Sequence, residues 1–381
     1  MCVSIDLVAI RRQLHRRPEI GLDTHETADM VMSCLAALGV SRRRCGGAGV
    51  VAEIEGRTPG PVVAVRVDMD ALPMEDLSGV EFASERAGKA HACGHDAHVA
   101  MGIGVAEALA GRRAEIAGRV RLIFQPAEET FQGARAMIDD GVLDGVQVIF
   151  GVHNSPAVPL GSVELVDGSA AMAASDRFKI TVKGAGGHAG LPHQTKDPLV
   201  ACAAVVMSLQ AIVSRAIDPG ESAALSVCRM SGGTAFNIIG DSAELEGTAR
   251  YLEQSVGESV ADLVHTIAKS TADAHRCEAH VEYAQLAPAL MTSPEAMGVA
   301  IGAAADMLGE SRIQRSRASM GSEDFALYAE RIPASYFWVG SQGPYPAHSP
   351  RFVIDERCIR VGADLMTEIA LRAGRVDWPQ L

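Results

Sequence analysis

Three histidines, a cysteine and an aspartate fall within one eight-residue stretch, HACGHDAH. Cys93 and His95 are separated by a single residue, so on a sharp loop both side chains can point at one centre, which a regular helix would not permit. By itself the stretch leaves three interpretations open: a metal site, a Cys/His nucleophile, or polar residues at the start of a helix.

Two further segments carry side chains that favour a metal site. The sequence PAEE places Glu128 and Glu129 next to each other, and GVHNSP places His153 after an apolar run. A metal centre that activates water uses one carboxylate as a ligand and another as a base, whereas a Cys/His nucleophile needs neither. An acidic pair alone is usually a solvated loop, and a lone histidine is usually structural. Both segments follow predicted strands, however, as do Asp68 and Asp70, and ligands bind at the carboxyl ends of parallel strands.

The kinds of candidate ligand restrict the choice of metal. One thiolate with several imidazoles and carboxylates suits Zn, Mn, Co or Ni, and is too hard for Cu(I) and too soft for Ca. More than four candidate ligands predict two divalent ions, about 3.5–4 Å apart, that share a bridging water.

A second group of candidate residues begins in GAGGHAGLPH. Its glycines depart from the G-x-G-x-x-G spacing of a dinucleotide-binding loop, and they would let the backbone turn tightly around His188. Further along, GGTAFNIIG carries Asn237 and EGTAR carries Arg250, whose guanidinium could bind a substrate carboxylate. The alternatives are a glycine-rich loop around a structural histidine, and an arginine that is only a surface charge.

The hydrophobic pattern predicts an α/β fold with two domains. Short continuous apolar runs alternate with amphipathic helices over the first part of the chain, which is typical of a mixed, largely parallel sheet with both faces buried. The pattern then changes to strand, helix, strand, strand, helix, strand, the order of a ferredoxin-like unit. We expect a catalytic domain formed by residues 1–174 and 288–381, interrupted by an inserted domain at residues 175–287.

Composition and charge exclude other function classes. The 381 residues include 34 Lys and Arg against 47 Asp and Glu, a net charge of −13, so we expect no nucleic-acid partner. No apolar run is expected to approach the roughly 20 residues of a membrane span, and the N-terminal segment lacks the uninterrupted apolar stretch of a signal peptide. The cysteines form no C-x-x-C pair, which favours free thiols in a reducing compartment. We therefore expect a cytoplasmic protein.

A resemblance to a known family extends from residue 11 to about residue 350. The chain resembles the peptidase M20 family of dinuclear metallopeptidases, and within it the amidohydrolase branch of hippurate hydrolase-like, N-acyl-amino-acid and auxin-conjugate hydrolases. The motifs that carry the resemblance are, in order, RRQLHRRPE, DMDALP, HACGHDAHVAM, FQPAEE, GVHNSP, GAGGHAGLPH, GGTAFNIIG, MGSEDFA and AHSP. The resemblance implies a metal domain interrupted by a lid that also forms a homodimer. It also implies hydrolysis of the amide bond of N-acyl amino acids, with an acetyl or aroyl group.

The resemblance assigns roles to individual residues. The implied metal ligands are Cys93, His95, Glu129, His153 and His348. Glu128 matches the general base, and His188 matches a lid histidine that reaches the oxyanion, in relatives across the dimer. Asn237 and Arg250 match substrate-side positions of the lid.

The sequence departs from the family pattern at a few positions. Other branches have His-x-Asp where this chain has DMD, so Asp68 occupies a former ligand position, and we expect Asp68 and Asp70 to orient the ligands. Gly190 stands where Ala is more usual, and Gly240 where Pro is more usual. The remaining polar residues of the first stretch are expected to support the ligands or to begin a helix: His91, Asp96 and His98.

Two alternative functions remain. A metal-independent Cys/His acyltransferase would use Cys93 as its nucleophile and would stay active in a chelator. A metal-dependent binding protein would keep the fold without turnover. The excess of carboxylates argues against the first, and the presence of Glu128 argues against the second, because a binding protein needs no base.

Overall fold

The computed structural model describes residues 5–166 and 170–379. Within these residues the strands are β1 (Ser41–Cys45), β2 (Gly49–Glu55), β3 (Thr58–Asp68), β4 (Ala117–Gln125), β5 (Val146–Ser155), β6 (Val163–Leu165), β7 (Ala170–Met172), β8 (Ala174–Lys183), β9 (Gly187–His188), β10 (Ala223–Gly232), β11 (Ile238–Ile239), β12 (Ser242–Tyr251), β13 (Glu278–Ala287), β14 (Leu290–Met291), β15 (Ile313–Arg315) and β16 (Ala334–Gly340). The α-helices are α1 (Leu7–Arg16), α2 (His25–Ala37), α3 (His95–Gly111), α4 (Gly133–Asp139), α5 (Pro198–Leu209), α6 (Gln254–Ala274), α7 (Pro294–Leu308), α8 (Ala326–Ala329) and α9 (Cys358–Ala373). Shorter helical turns lie at Pro192–Gln194, Ile212–Ala216 and Glu310–Arg312.

The chain divides into two compact units. The first consists of Met1–Ala171, Met291–Arg317 and Asp324–Leu381. The second consists of Met172–Leu290 together with the short segment Ala318–Glu323. The inserted domain at residues 175–287 stays a prediction, and the second unit is the part of the structure to which it corresponds.

The first unit is built on an eight-stranded sheet in the order β1-β2-β4-β3-β5-β16-β6-β15. The four central strands, β4, β3, β5 and β16, pair in parallel, whereas β1, β2 and the β16–β6 pair are antiparallel. The prediction of a mixed, largely parallel sheet is therefore confirmed. Because β3, β4 and β5 run in the same direction, Asp68 lies opposite Gln125 in the register, and His153 lies near the carboxyl end of β5 at the same edge of the sheet.

Helix α3 brings the first histidine cluster close to that edge. Most of its residues are buried, because it packs against the sheet and against α1 and α9. Gly102 makes the close approach possible, since a Cβ there would lie 2.7 Å from Phe124 Cε1 and 2.9 Å from Val67 Cγ2. The helix therefore begins with its first turn beside the carboxyl ends of the central strands.

The second unit has the predicted strand and helix order. Strands β8, β10, β12 and β13 form an antiparallel sheet in the order β10-β12-β8-β13, with α5 following β8 and α6 following β12. This is the topology of a ferredoxin-like unit. The apolar sides of both helices pack on the sheet in a core separate from that of the first unit.

One segment of the second unit corrects a sequence-based expectation. Residues Pro198–Ala216 are long and apolar enough to cross a membrane by length and composition, although no apolar run was expected to approach that length. Part of this segment is explained by the core, because Ala201, Cys202 and Val205 are fully buried against the sheet.

Candidate active site

The pair Cys93 and His95 lies on a sharp turn immediately before α3. Gly94 between them has a φ of 96°, a left-handed conformation that favours glycine. A Cβ at this position would also lie 2.1 Å from Asn154 Nδ2, so the turn has no room for a side chain. With Gly94 as the hinge, ligand atoms of Cys93, His95 and His153 come within 4.8 Å of one another, as the spacing of one residue predicts.

The acidic pair lies on a second strained turn. Ala127 has a φ of 54°, and the next two main-chain N–H groups both donate to Asp70, from Glu128 to Oδ1 at 3.0 Å and from Glu129 to Oδ2 at 3.2 Å. Asp70 Oδ1 also lies 3.5 Å from His95 Nδ1. Asp70 therefore binds the acidic turn and lies beside His95, and its role of orienting the ligands stays a prediction.

The two remaining predicted ligands approach the same cluster from other segments. His153 Nδ1 donates to the main-chain oxygen of Asn154 at 2.6 Å, which leaves Nε2 as the acceptor, 3.3 Å from Cys93 Sγ. His348 has a φ of 64°, and its Nε2 lies 3.4 Å from Glu129 Oε1. Non-glycine residues in left-handed conformations are concentrated at functional sites, because the surrounding structure must stabilise them.

Cys93 links two groups of potential ligands. Its thiol lies within 4.8 Å of ligand atoms of His95 and His153 in one group, and of Glu129 and His348 in the other. Among the described residues, His95 Nε2 makes no hydrogen bond although the side chain is fully buried, and it lies 4.0 Å from Glu129 Oε1. A buried nitrogen without a hydrogen-bond partner is costly unless a cation binds it. The residues present therefore fit a pair of divalent cations.

The electrostatics of Cys93 argue against a nucleophilic thiol. Burial raises the pKa of Cys93 above its ordinary value, whereas reactive cysteines have lowered pKa values. Contacts with Cys93 and Glu129 raise the pKa of His348 to about 10. A cation at this position would supply the positive charge that favours the thiolate.

Asp68 lies near the ligands but is bound to other groups. Its Oδ1 accepts from His98 Nδ1 at 2.6 Å and its Oδ2 accepts from Arg66 Nη1 at 2.7 Å. Although burial favours the neutral acid, the Arg66 guanidinium and the hydrogen bond from His98 hold the pKa of Asp68 well below its usual range. Both carboxylate oxygens of Asp68 therefore accept short hydrogen bonds, and its role of orienting the ligands stays a prediction.

The structure brings two of the three predicted lid residues together. His188 in β9 lies opposite Ile238 in β11, and Ala189 N donates to Asn237 O at 3.2 Å. His188 is exposed, and its Nδ1 accepts from Gly190 N at 3.0 Å. The neutral ring therefore carries its proton on Nε2.

Arg250 lies at the other end of the four-stranded sheet of the second unit. In the β8–β12 register, Ser242 pairs with Lys183 and Arg250 pairs with Ser175. Eight residues at about 3.3 Å each separate Ser242 from Arg250 by roughly 26 Å. The loops of His188 and Asn237 are attached at the Ser242 end, where Gly184 N donates to Asp241 O at 2.8 Å.

The chain is similar to known proteins over most of its length. The model of peptidase family M20/M25/M40 matches residues 64–372. An N-acetylcysteine deacetylase of Bacillus subtilis (strain 168) is 40% identical over 370 residues, which are 96% of this chain and 96% of that protein. The IAA-amino acid hydrolase ILR1-like 2 of Arabidopsis thaliana is 38% identical over 381 residues, covering 96% of this chain and 84% of that protein. The crystal structure of the Bacillus subtilis YXEP protein, described as a dinuclear metal-binding peptidase of the M20 family, matches with a TM-score of 0.83 and 36% identity, over 97% of this chain and 98% of that one.

The chain belongs to peptidase family M20/M25/M40. The resemblance seen in the sequence is thereby confirmed, and so is the fold class. Membership of this M20 family also makes the chain a hydrolase that acts on amide bonds, as predicted.

Sequence reasoning missed several residues that support the site of this M20 hydrolase. Asn154 and Arg66 make buried hydrogen bonds to ligand-bearing segments, and Asp324, in the MGSEDFA motif, accepts from Arg66 Nη2 at 3.1 Å. One signal was available, because an arginine inside the apolar run VVAVRV must find buried acidic partners. Asn154 gave no such signal, since an asparagine after a strand is common in turns.

Proposed function

We propose that this chain hydrolyses the amide bond of N-acyl amino acids to a carboxylate and a free amino acid, at a centre of two divalent cations. The observation that carries the proposal is that Cys93 belongs to two ligand groups at once, beside the additional carboxylate of Glu128. The proposed ligands are Cys93, His95, Glu129, His153 and His348.

Glu128 is the proposed general base. Two divalent cations would polarise the acyl carbonyl and lower the pKa of water from about 15.7 towards about 7. Glu128 is only 7% exposed, its main chain is fixed by Asp70, and its neighbour Glu129 faces His348. Glu128 takes a proton from the water as the oxygen attacks the acyl carbon, and it returns that proton to the leaving nitrogen as the C–N bond breaks.

His188 is the proposed donor to the acyl oxygen. The hydrogen bond from Gly190 N to Nδ1 leaves the Nε2–H group available for donation. A single well-placed donor to a developing oxyanion is worth roughly 3–4 kcal/mol. Asn237, next to His188 in the lid, is proposed to contact the substrate from the same side.

A homodimer is proposed because one lid cannot present all its substrate-side residues at one place. Arg250, the proposed partner of the substrate carboxylate, lies at the end of the lid sheet opposite His188 and Asn237. A small substrate can contact all three only if they come from two copies of the chain. The exposed apolar face of α5, where Val200 is 53% and Met207 is 72% exposed, is the proposed contact surface for the second copy.

The relatives support a substrate with an amino acid on the amine side. One relative is named for N-acetylcysteine and another for an IAA–amino acid conjugate, so an acetyl and an aromatic acyl group are both proposed as candidates. The metal is proposed to be Mn, Zn, Co or Ni, since one thiolate with nitrogen and oxygen ligands suits each of them. The seven free cysteines among the described residues support a reducing, cytoplasmic location.

The proposal is tested by assaying metal-reconstituted protein against a panel of N-acetyl and N-benzoyl amino acids, with release of the free amino acid as the readout. Glu128→Gln should abolish turnover while metal content stays near wild type, whereas Glu129→Ala should lose metal. Substantial activity in Glu128→Gln would refute the assignment of the base.

The same panel separates the alternatives. A Cys/His acyltransferase would keep full activity in a chelator and would be inactivated by alkylation of Cys93 in metal-free protein. A binding protein would bind metal and hydrolyse no member of the panel.

Dimerisation is tested by sedimentation of the wild type and of Met207→Glu. The substitution should yield monomers that retain metal but lose activity. A dimer unaffected by this substitution would refute the α5 surface.

A further inference from the structure

Asn154 follows the candidate ligand His153 directly and is 2% exposed. Each of its four polar groups makes a hydrogen bond. Its side-chain Nδ2 donates to Cys93 O at 2.7 Å and lies 2.9 Å from His98 Nε2, and its Oδ1 accepts from Ser341 Oγ at 3.1 Å. Its main-chain N–H donates to His98 Nε2 at 2.8 Å, and its main-chain oxygen accepts from His153 Nδ1 at 2.6 Å.

We propose that Asn154 is a positioning residue for the metal centre, which holds the Cys93 turn against β5 and fixes the ring of His153. The proposal rests on the assignment of Cys93 and His153 as ligands under Proposed function. The carboxamide bridges the main chain of one ligand residue to the strand that carries the other, across 61 positions of sequence. The main-chain oxygen of Asn154 fixes the tautomer of His153, so that Nε2 faces Cys93 Sγ.

The asparagine is itself anchored by a buried chain of hydrogen bonds. Because the main-chain N–H of Asn154 can only donate, His98 Nε2 must accept, and the proton of His98 is on Nδ1, which donates to Asp68. Asp68 in turn accepts from Arg66, which is fully buried. Both nitrogens of His98 are therefore used, which assigns this histidine to the support of the site and leaves ligation to His95 and His153.

The local sequence is consistent with this role. A Cβ at position 94 would lie 2.1 Å from Asn154 Nδ2, so Gly94 leaves the space that the carboxamide occupies. An aspartate at position 154 would fill the same volume, but as a carboxylate it could donate neither to Cys93 O nor to His98 Nε2. Asn154→Asp therefore removes the hydrogen bonds that the carboxamide donates, with little change in the shape of the side chain.

The experiment measures Co²⁺ binding to the full-length protein by competition with a chromophoric chelator, together with the thiolate-to-cobalt charge-transfer band. Asn154→Asp and Asn154→Ala should each weaken Co²⁺ binding by roughly 10- to 100-fold and shift or reduce that band. The matched control is Val148→Ala, a fully buried residue of the same strand that makes none of these hydrogen bonds. It should lower the unfolding temperature and leave both cobalt measurements unchanged.

A second pair of variants tests the anchor if the Asn154 variants do not fold. The side chain introduced by His98→Gln is long enough to place its amide oxygen where Nε2 accepts from the N–H of Asn154. The shorter side chain introduced by His98→Asn reaches only the position of Nδ1, where its amide can donate to Asp68. The proposal expects the Gln variant to retain tighter Co²⁺ binding than the Asn variant, and equal losses would contradict it. Wild-type affinity and an unchanged band in Asn154→Asp would overturn the inference and leave the proposed function standing. Absence of the band in the wild type would overturn the assignment of Cys93 as a ligand, and with it both proposals.

Discussion

Arg66 is the most informative residue for testing how the site is supported. Its guanidinium is fully buried, and it donates to Asp68 Oδ2 at 2.7 Å, to Asp324 Oδ1 at 3.1 Å and to Gln125 Oε1 at 2.9 Å. Arg66→Met approximately preserves the apolar stem and removes the charge. Two buried carboxylates then lose their common cation.

The expected loss of stability is large. Breaking a buried ion pair by removing one partner costs about 3–5 kcal/mol, and a domain is typically stable by only about 5–15 kcal/mol. Arg66→Met should therefore lose at least about 3 kcal/mol of unfolding free energy. The control Arg360→Met breaks an exposed pair with Asp364 on α9, for which we expect a loss below about 1 kcal/mol.

Urea unfolding followed by tryptophan fluorescence is the appropriate assay. Both tryptophans, Trp338 and Trp378, belong to the first unit, so their signal reports the unit that contains Arg66. A chelator should be present, because bound metal would add its own stabilisation.

The pH dependence gives a second check on Arg66→Met. In the wild type Arg66 helps to hold the pKa of Asp68 well below its usual range, although burial opposes this. Without Arg66, burial should raise that pKa, so the variant should lose further stability as pH rises from 5 to 8 and Asp68 must ionise. A loss no greater than that of Arg360→Met, with no added pH dependence, would refute the reasoning.

Three further predictions concern single side chains. Gly94→Ala should lower both stability and metal content, measured by thermal unfolding and elemental analysis, because the new Cβ would lie 2.1 Å from Asn154 Nδ2 at a φ of 96°; normal metal content would contradict the proposed turn geometry. Gly190→Pro should lower kcat without loss of metal, because it removes the N–H that donates to His188, and Gly190→Ala, which keeps that N–H, should retain more activity; equal kcat values would count against a role for this bond. Burial by itself opposes the charged form of His15, but hydrogen bonds to two aspartates raise its pKa, so its contribution to stability is complete below pH about 6.5 and is lost as pH rises through the raised value. His15→Gln should therefore be most destabilised relative to wild type near pH 5–6, and a deficit that grew towards pH 9 would show the sign to be wrong.

Much of the site could be predicted from local patterns. The residue types at Cys93, His95, Glu129 and His153 indicated a metal site, and the positions of Glu129 and His153 after apolar runs indicated a common sheet edge. The parallel pairing of β3, β4 and β5 produces that edge, because parallel strands all end on the same side of a sheet. The order of strands and helices in the second unit could likewise be predicted from the hydrophobic pattern of short segments.

Sequence by itself determined which side chains were available for chemistry and roughly where along each strand they lie, since both follow from residue type and short-range periodicity. Only the tertiary structure decided which of these side chains are held in hydrogen bonds and which remain available as ligands. His95 and His98 are chemically identical, yet His98 uses both nitrogens in hydrogen bonds to Asp68 and Asn154, residues 30 and 56 positions away, while His95 Nε2 has no hydrogen-bond partner in the part of the chain that the structure describes. Hydrogen-bond partners brought together by packing from distant segments leave no periodic signal in the sequence, and for the same reason the separation of Arg250 from His188 became visible only in the strand register.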